Sequence, residues 1–276
     1  MSWFDRIFRR QHSRREALVR QPFPKEWAAT VRRSLACYPL LPAEHRRILR
    51  AGARIFVDEK EIVGIGPMKI TDEIKVAIAA QACLLLVGRP EFDVFPRLGE
   101  VIVEPHGFGQ MIEAVGPDGR KYRIPEVHAG EAWRQGPVVL AWDSVRHSIA
   151  GPGDGYNVVF HEFAHELDMQ LGITDGAPPL ETAEQRQVWT RVFKAEFQAF
   201  FNAARRGRRT FLDPYGAGAP VEFFAVVTEH FFEQPWELRQ KHPKLYAQFK
   251  LLYGQDPANW GRQKPPTPEP PTTEGG

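Results

Sequence analysis

The chain has 276 residues, of which 43% are apolar and 25% are charged, and this composition excludes disorder along the whole length. Its longest apolar stretches, such as 77–87, fall short of the ~20 residues that a membrane-spanning helix needs, so we expect no transmembrane segment. Residues 1–20 contain six arginines against Asp5 and Glu16, which leaves 30 basic and 32 acidic side chains elsewhere. The part of the chain after residue 20 therefore has nearly balanced charge and no general attraction for nucleic acid.

Residues 1–21 are predicted to form a basic arm. Apolar residues, among them Trp3 and Phe8, stand beside arginines, as in a short amphipathic helix on a membrane surface. The alternatives are a loosely docked helix and a disordered segment. The arginines interrupt the apolar run of a secretory signal, and Cys37 and Cys83 alone make no disulfide framework. We therefore expect a soluble, cytoplasmic protein.

Residues 22–260 are predicted to form one domain that begins with a helical lobe over 22–98. Apolar residues recur there at the four-residue spacing of Val31 and Leu35, and 74–86 has the composition of a buried helix.

Over 99–142 the spacing of apolar residues shortens to the two-residue period of strands. Segments in which apolar and polar residues alternate are bounded there by Gly or Pro. We expect a small, mostly antiparallel sheet, with Val138–Trp142 as an edge to which an extended peptide can add. Further helices are predicted over 156–171, 181–205, 220–234 and 243–253. The proline-rich tail, 261–276, is predicted to be disordered.

The helix predicted over 156–171 carries His161, Glu162 and His165. Two histidines four residues apart lie one turn apart on one side of a helix, so both imidazoles can reach one metal ion. Glu162 is then placed to take a proton from a zinc-bound water. Asp168 comes seven residues after His161 and therefore has nearly the same angular position around the helix axis. From there it can hydrogen-bond a ligand imidazole. The alternative is two core histidines beside a surface glutamate, which is disfavoured because these groups are costly to bury without a cation.

A catalytic zinc site needs a third protein ligand. The third histidine of the extended motif is missing, because position 171 is Leu. The helix over 220–234 is apolar nearly all round, so its Glu222 and Glu229 must be paired or ligating. Spacing does not rank the two glutamates. The small Ala225 favours Glu222 as the ligand and leaves Glu229 to support a ligand or cap a helix.

Three blocks of the sequence carry a resemblance to a known family: Gln135–Trp142, Asn157–Met169 and Pro220–Phe232. In this order they resemble the Mlc titration factor family of bacterial zinc metallopeptidases. The likeness covers roughly residues 30–255 and extends to the lethal-factor type of gluzincin peptidase. It implies an α+β, zincin-like fold with an active-site helix.

The resemblance also assigns roles to individual residues. It implies that His161, His165 and Glu222 bind zinc and that Glu162 is the general base. It further implies that Tyr215, seven residues before Glu222, donates a hydrogen bond to the oxyanion of the tetrahedral intermediate.

Two functions remain open at this point. In the first, a zinc-dependent peptidase hydrolyses peptides, from the amino terminus as the resemblance implies. In the second, the protein binds a transcriptional repressor such as Mlc and titrates it away from DNA. The complete ligand set together with Glu162 favours catalysis. Direct nucleic-acid binding is disfavoured, because the sequence has no basic helix in its body and no cysteine-based finger.

Overall fold

The computed structural model describes residues 3–89, 93–115, 121–128, 130–132, 136–169, 176, 180 and 182–261. Its α-helices are α1 (Trp3–Arg20), α2 (Lys25–Ser34), α3 (Ala43–Glu59), α4 (Asp72–Leu84), α5 (Trp142–Ala150), α6 (Val158–Met169), α7 (Ala183–Arg205), α8 (Pro220–Glu233), α9 (Pro235–Lys241) and α10 (Pro243–Tyr253). Its strands are β1 (Glu61–Gly64), β2 (Glu100–Glu104), β3 (Phe108–Val115), β4 (Lys121–His128), β5 (Gly130–Ala132) and β6 (Val138–Ala141). The fold is α+β, as expected. The helices predicted after residue 155 are present as α6, α7, α8 and α10, each within two residues of its predicted bounds.

The main sheet has the strand order β1-β2-β6-β5. The first three strands are parallel and only β5 runs antiparallel, so the expectation of a mostly antiparallel sheet was wrong. The expected antiparallel pairing occurs only in the separate β3–β4 hairpin and at β5. Strand β1 lies inside the segment expected to be a helical lobe, and α4 then returns the chain so that β2 pairs with β1 in parallel. The alternation of apolar and polar residues along one strand does not specify which strand it pairs with.

Strand β6 lies inside this sheet, between β2 and β5, so its predicted role as an edge was also wrong. Strand β5 covers it, with Gly130 opposite Leu140 and Ala132 opposite Val138. Among the described strands, β5 is therefore the outer strand next to α6, which it contacts.

The hydrophobic core surrounds α4 and α6. Thr71 caps the start of α4, and almost every residue of this helix is buried because it packs against α2, α3 and α6. On the other side of α6, aromatic rings of α7, α8 and α10 interlock, including Trp189, Phe224 and Phe249. Each such ring contributes roughly 1.5–3 kcal/mol through burial. The core therefore holds α6 and α8 against each other.

The arginine-rich N-terminal segment forms the helix α1 over residues 3–20. Arg15 donates to both carboxylate oxygens of Glu59 at 2.6 and 2.7 Å and to Asp93 at 2.8 Å. Arg54 also donates to the carbonyl of Leu18 at 3.0 Å. The second half of α1 is thus docked on α3. No helix in the described part of the chain is long and apolar enough to cross a membrane. Disorder was predicted for residues 261–276, of which 262–276 lie outside the described residues.

Candidate metal centre

Local signals fix where α6 and α8 begin. Asn157 precedes the helix, and its Oδ1 accepts a hydrogen bond from the Phe160 N–H at 3.0 Å, as an N-cap does. The first turn of α8 begins with Pro220, a residue suited to that position because its ring presets φ. The two helices pack so that His161 and His165 of α6 face Glu222 of α8.

Three side chains converge between these helices. Oε2 of Glu222 lies 3.2 Å from Nε2 of His161 and 3.6 Å from Nε2 of His165. One donor atom from each residue lies within 4.8 Å of the others, and this is the one such group of three found among the described residues. The two histidine side chains are 12% exposed and that of Glu222 is 24% exposed, so the cluster is open to solvent on one side.

The spacing and charge of these groups fit a divalent cation. Nitrogen and oxygen ligands at about 2.0–2.2 Å from a tetrahedral ion lie about 3.3–3.6 Å apart, close to the distances from Glu222 to the two imidazoles. Burial lowers the pKa of His161, but hydrogen bonds to Glu222 and Glu229 outweigh it and hold that pKa well above its usual value. Burial raises the pKa of Glu222, yet the two histidines lower it further below its usual value. The electrostatics of the cluster therefore favour a positively charged group, such as a cation, between its three side chains.

A second carboxylate lies behind His161. Oε1 of Glu229 is 2.8 Å from Nδ1 of His161, and its Oε2 accepts from the Asn157 N–H at 2.6 Å. Glu229 is only 4% exposed. The structure thus separates the two glutamates that spacing left unranked: Glu222 joins the cluster, and Glu229 orients a member of it.

Asp168, which was expected to hydrogen-bond a ligand imidazole, binds a backbone N–H. Asp168 is fully buried, and its Oδ2 accepts from the Gly176 N–H at 3.1 Å. Seven residues along a helix correspond to about 10.5 Å of rise, so sharing an angular position with His161 does not bring Asp168 to its ring. The Asp168 carboxylate thus binds the backbone at Gly176.

Glu162 and Tyr215 both lie near His161. Glu162 is 4% exposed, and its charge contributes to raising the pKa of His161. Tyr215 lies in a short 3-10 helix, Pro214–Ala217, which begins where Asp213 accepts from the Tyr215 N–H at 2.8 Å. The tyrosine ring is 5.8 Å from the ring of His161 and is 59% exposed. Its phenol therefore stands on the open side of the cluster.

Comparison with known proteins identifies the family. A family model described as "Glucose-regulated metallo-peptidase M90" matches residues 8–254. The chain belongs to this family. An uncharacterized protein of Synechocystis sp. is 38% identical, covering 88% of this chain and 89% of that protein. Mlc titration factor A of Edwardsiella ictaluri is 34% identical, covering 79% and 85%, and that of Escherichia fergusonii is 31% identical, covering 84% and 88%. The resemblance stated from the three sequence blocks is confirmed.

Membership in the M90 metallopeptidase family implies a metal ion, and His161, His165 and Glu222 are the group that fits one. Sequence reasoning missed the polar groups that support this cluster from behind. Nδ2 of Asn157 donates to Gln81 at 2.9 Å and to Glu233 at 3.0 Å. An asparagine directly before an apolar helix is an N-cap signal that could have revealed the first of these residues. The partners of Asn157 come from distant helices and leave no local signal.

Proposed function

We propose that this protein is a zinc-dependent peptidase whose ion is held by His161, His165 and Glu222. The observation that carries the proposal is the convergence of these three side chains, one carboxylate between two imidazoles, at a solvent-open site. Three ligands of this type leave a position for water or substrate, which is the pattern of catalytic zinc sites. Zinc, when bound, supplies Lewis acidity that polarises a carbonyl and lowers the pKa of water to about 7.

The protein's own groups carry the remaining steps. Glu162, next to His161 in α6, acts as the general base that accepts a proton from the attacking water and passes it to the leaving amine. The Tyr215 phenol, on the open side, donates a hydrogen bond to the oxyanion as the carbonyl becomes tetrahedral. The backbone of β5, the outer strand beside α6, is the edge along which an extended peptide pairs.

The decisive test is the Glu162→Gln variant. The substitution keeps the size of the side chain and leaves His161, His165 and Glu222 in place, so bound zinc is expected to remain stoichiometric by elemental analysis. Peptide hydrolysis is expected to be lost, because an amide does not accept the proton. Glu184→Gln, at an exposed position of α7, is the matched control and should retain full activity. Hydrolysis by Glu162→Gln at the normal rate would reject Glu162 as the base.

We further propose that the enzyme is an aminopeptidase, a proposal that rests on the family resemblance. Cleavage of peptides with a free amino terminus is compared with that of their N-acetylated counterparts, with and without a chelator. Free peptides should be cut preferentially and only in the absence of chelator. Equal cleavage of acetylated peptides would contradict the aminopeptidase assignment while leaving the zinc peptidase intact.

A second function is favoured by the relatives that bear the name Mlc titration factor A. We propose, as the alternative, that this protein binds a transcriptional repressor and withdraws it from DNA. Glu162→Gln protein used as bait in a lysate of the host separates the two functions, because it retains the surface and lacks turnover. Stoichiometric recovery of one repressor supports titration, and its absence supports peptidase activity alone.

A further inference from the structure

A second cavity lies on another side of α6 from the metal cluster. It has a volume of about 350 Å³ and is enclosed by α5, α6, α8 and the segments around residues 34–40 and 257–260. Its walls are mainly apolar, with contributions from Leu35, Leu40, Ile149, Phe160, Phe232 and Trp260. Small-molecule sites in proteins have this size and this predominantly apolar lining.

The lining contains one acidic side chain, Glu233, and no lysine, arginine or histidine. Oε2 of Glu233 accepts from the Gly153 N–H at 2.8 Å, and its Oε1 accepts from Nδ2 of Asn157 at 3.0 Å. These two bonds hold the carboxylate in a fixed position at the end of α8. Among the described residues no cation forms an ion pair with it.

The electrostatic surroundings of Glu233 are unfavourable to its negative charge. Burial raises the pKa of Glu233 and outweighs the hydrogen bonds from Gly153 and Asn157, which lower it, while the carboxylates of Asp154 and Glu229 raise it as well. A positive group in the cavity would relieve both effects, because it would compensate a charge that has lost part of its water. The cavity thus has a negative potential at its one charged wall.

Aromatic rings form the adjoining wall. The ring centroids of Phe160 and Phe232 are 5.3 Å apart, and those of Phe232 and Trp260 are 6.1 Å apart. The faces of such rings attract cations, with Trp the strongest of the three aromatic types, and they also pack against apolar groups. A carboxylate next to aromatic faces is an arrangement suited to an organic ammonium ion.

We propose that this cavity binds a small organic cation, an amine with an apolar body, whose ammonium group pairs with Glu233 and whose body packs against Phe232 and Trp260. The cavity and the metal centre lie on different sides of α6, since Phe160 lines the cavity while His161 faces Glu222. Asn157 links them, because it binds both Glu229 and Glu233. It does not depend on the peptidase proposal.

The test compares two probes of nearly equal shape on the full-length, metal-loaded protein near neutral pH. 2-Phenylethylamine is a cation under these conditions and 2-phenylethanol is neutral. Isothermal titration should show saturable binding of the amine, about tenfold or more tighter than that of the alcohol, because only the amine pairs with Glu233. Glu233→Gln should remove this preference.

Two tryptophan variants complete the design. Trp260→Ala removes a wall of the cavity and should weaken amine binding by about tenfold. Trp236→Ala removes an exposed tryptophan that does not line the cavity, and it should leave binding unchanged. Thermal unfolding of each variant verifies its fold. If Glu233→Gln does not fold, the comparison of the two probes and the pair of tryptophan variants still decide the question.

Three results would overturn the proposal. The first is no saturable binding of the amine, and the second is equal affinity for amine and alcohol in the unaltered protein. The third is amine binding that persists in Trp260→Ala but disappears with a chelator, which would place the amine on the metal ion instead of in the cavity.

Discussion

Oε1 of Glu229 lies 2.8 Å from Nδ1 of His161, so this imidazole is held from behind while its Nε2 faces Glu222 at 3.2 Å. Glu229 is in turn fixed by the Asn157 N–H at the first turn of the same helix that carries His161. The pair connects the orientation of one imidazole of the His161, His165 and Glu222 cluster to the way α6 begins. Carboxylates placed like this fix the tautomer and ring orientation of a ligand histidine.

Replacement of Glu229 by Gln is expected to weaken metal binding. The amide cannot carry the negative charge that supports the His161 imidazole, and losses of such partners lower metal affinity by about 10–100-fold. Competition with a chromophoric chelator measures the change. Glu237→Gln, an exposed position in α9, serves as the control and should bind metal normally. Unchanged affinity in Glu229→Gln would show that the contact does not orient the ligand.

Replacement of Tyr215 by Phe is expected to reduce kcat without affecting metal content or stability. The side chain is 59% exposed, so its hydroxyl contributes little to folding. Loss of one oxyanion donor lowers kcat by about 10²–10³-fold. Steady-state kinetics on a peptide substrate measure the effect. Tyr38→Phe removes a phenol far along the sequence and should leave kcat as it is; equal loss in both variants would point to a general perturbation.

Replacement of Arg15 by Ala is expected to release the second half of α1. Its guanidinium joins Glu59 and Asp93 and is 22% exposed, and charge-assisted hydrogen bonds of this kind contribute about 1–3 kcal/mol. Hydrogen exchange over residues 12–20 should accelerate. Arg20→Ala removes an arginine that is 80% exposed and should not have this effect. Equal protection in both variants would mean that α1 is held by its other contacts.

Replacement of Gly254 by Ala is expected to destabilise the protein strongly. Gly254 ends α10 with a φ of +59°, and a Cβ there would collide with the Gly88 carbonyl. Gly207 ends α7 with a φ of +64° and has open space around it. The conformational cost is about 1–2 kcal/mol at both sites, and the collision adds about 1–3 kcal/mol only at Gly254. Urea unfolding compares the two; equal losses would exclude a close approach of the two backbones.

The thiol of Cys37 is expected to be unreactive at mildly alkaline pH. Burial raises its pKa to about 12, and the charge of Glu233 adds to this effect. Alkylation requires the thiolate, whose fraction rises only as the pH approaches that value. Mass spectrometry after iodoacetamide treatment should find Cys37 unmodified in the folded protein and modified in urea. Complete labelling of the folded protein at this pH would contradict the raised pKa of this thiol.

Features with a local period were readable from the sequence. The spacing of His161 and His165 is set by the helix repeat, and the long apolar helices α6, α7, α8 and α10 were expected within two residues of their bounds. Such patterns depend only on residues that are neighbours on one helix, so the order of residues in the chain determines the patterns. For Asp168 the angle around the axis does not suffice, because a rise of about 10.5 Å separates it from His161 along α6.

Pairing between distant segments was decided only by the tertiary structure. Glu222 and Glu229 have equivalent positions on one apolar helix, and only the packing of α8 against α6 brings the first to two imidazoles and the second behind one of them. Likewise, the alternation of apolar and polar residues predicted where strands occur but not which strands pair. The parallel order β1-β2-β6 arises from how the connections cross the sheet. The sequence by itself thus determined the elements and the paired histidines, because local geometry follows the chain. For the third member, the small Ala225 and the resemblance favoured Glu222 over Glu229. Its contact with both imidazoles came from the fold, because contacts between segments about 60 residues apart depend on how whole helices pack.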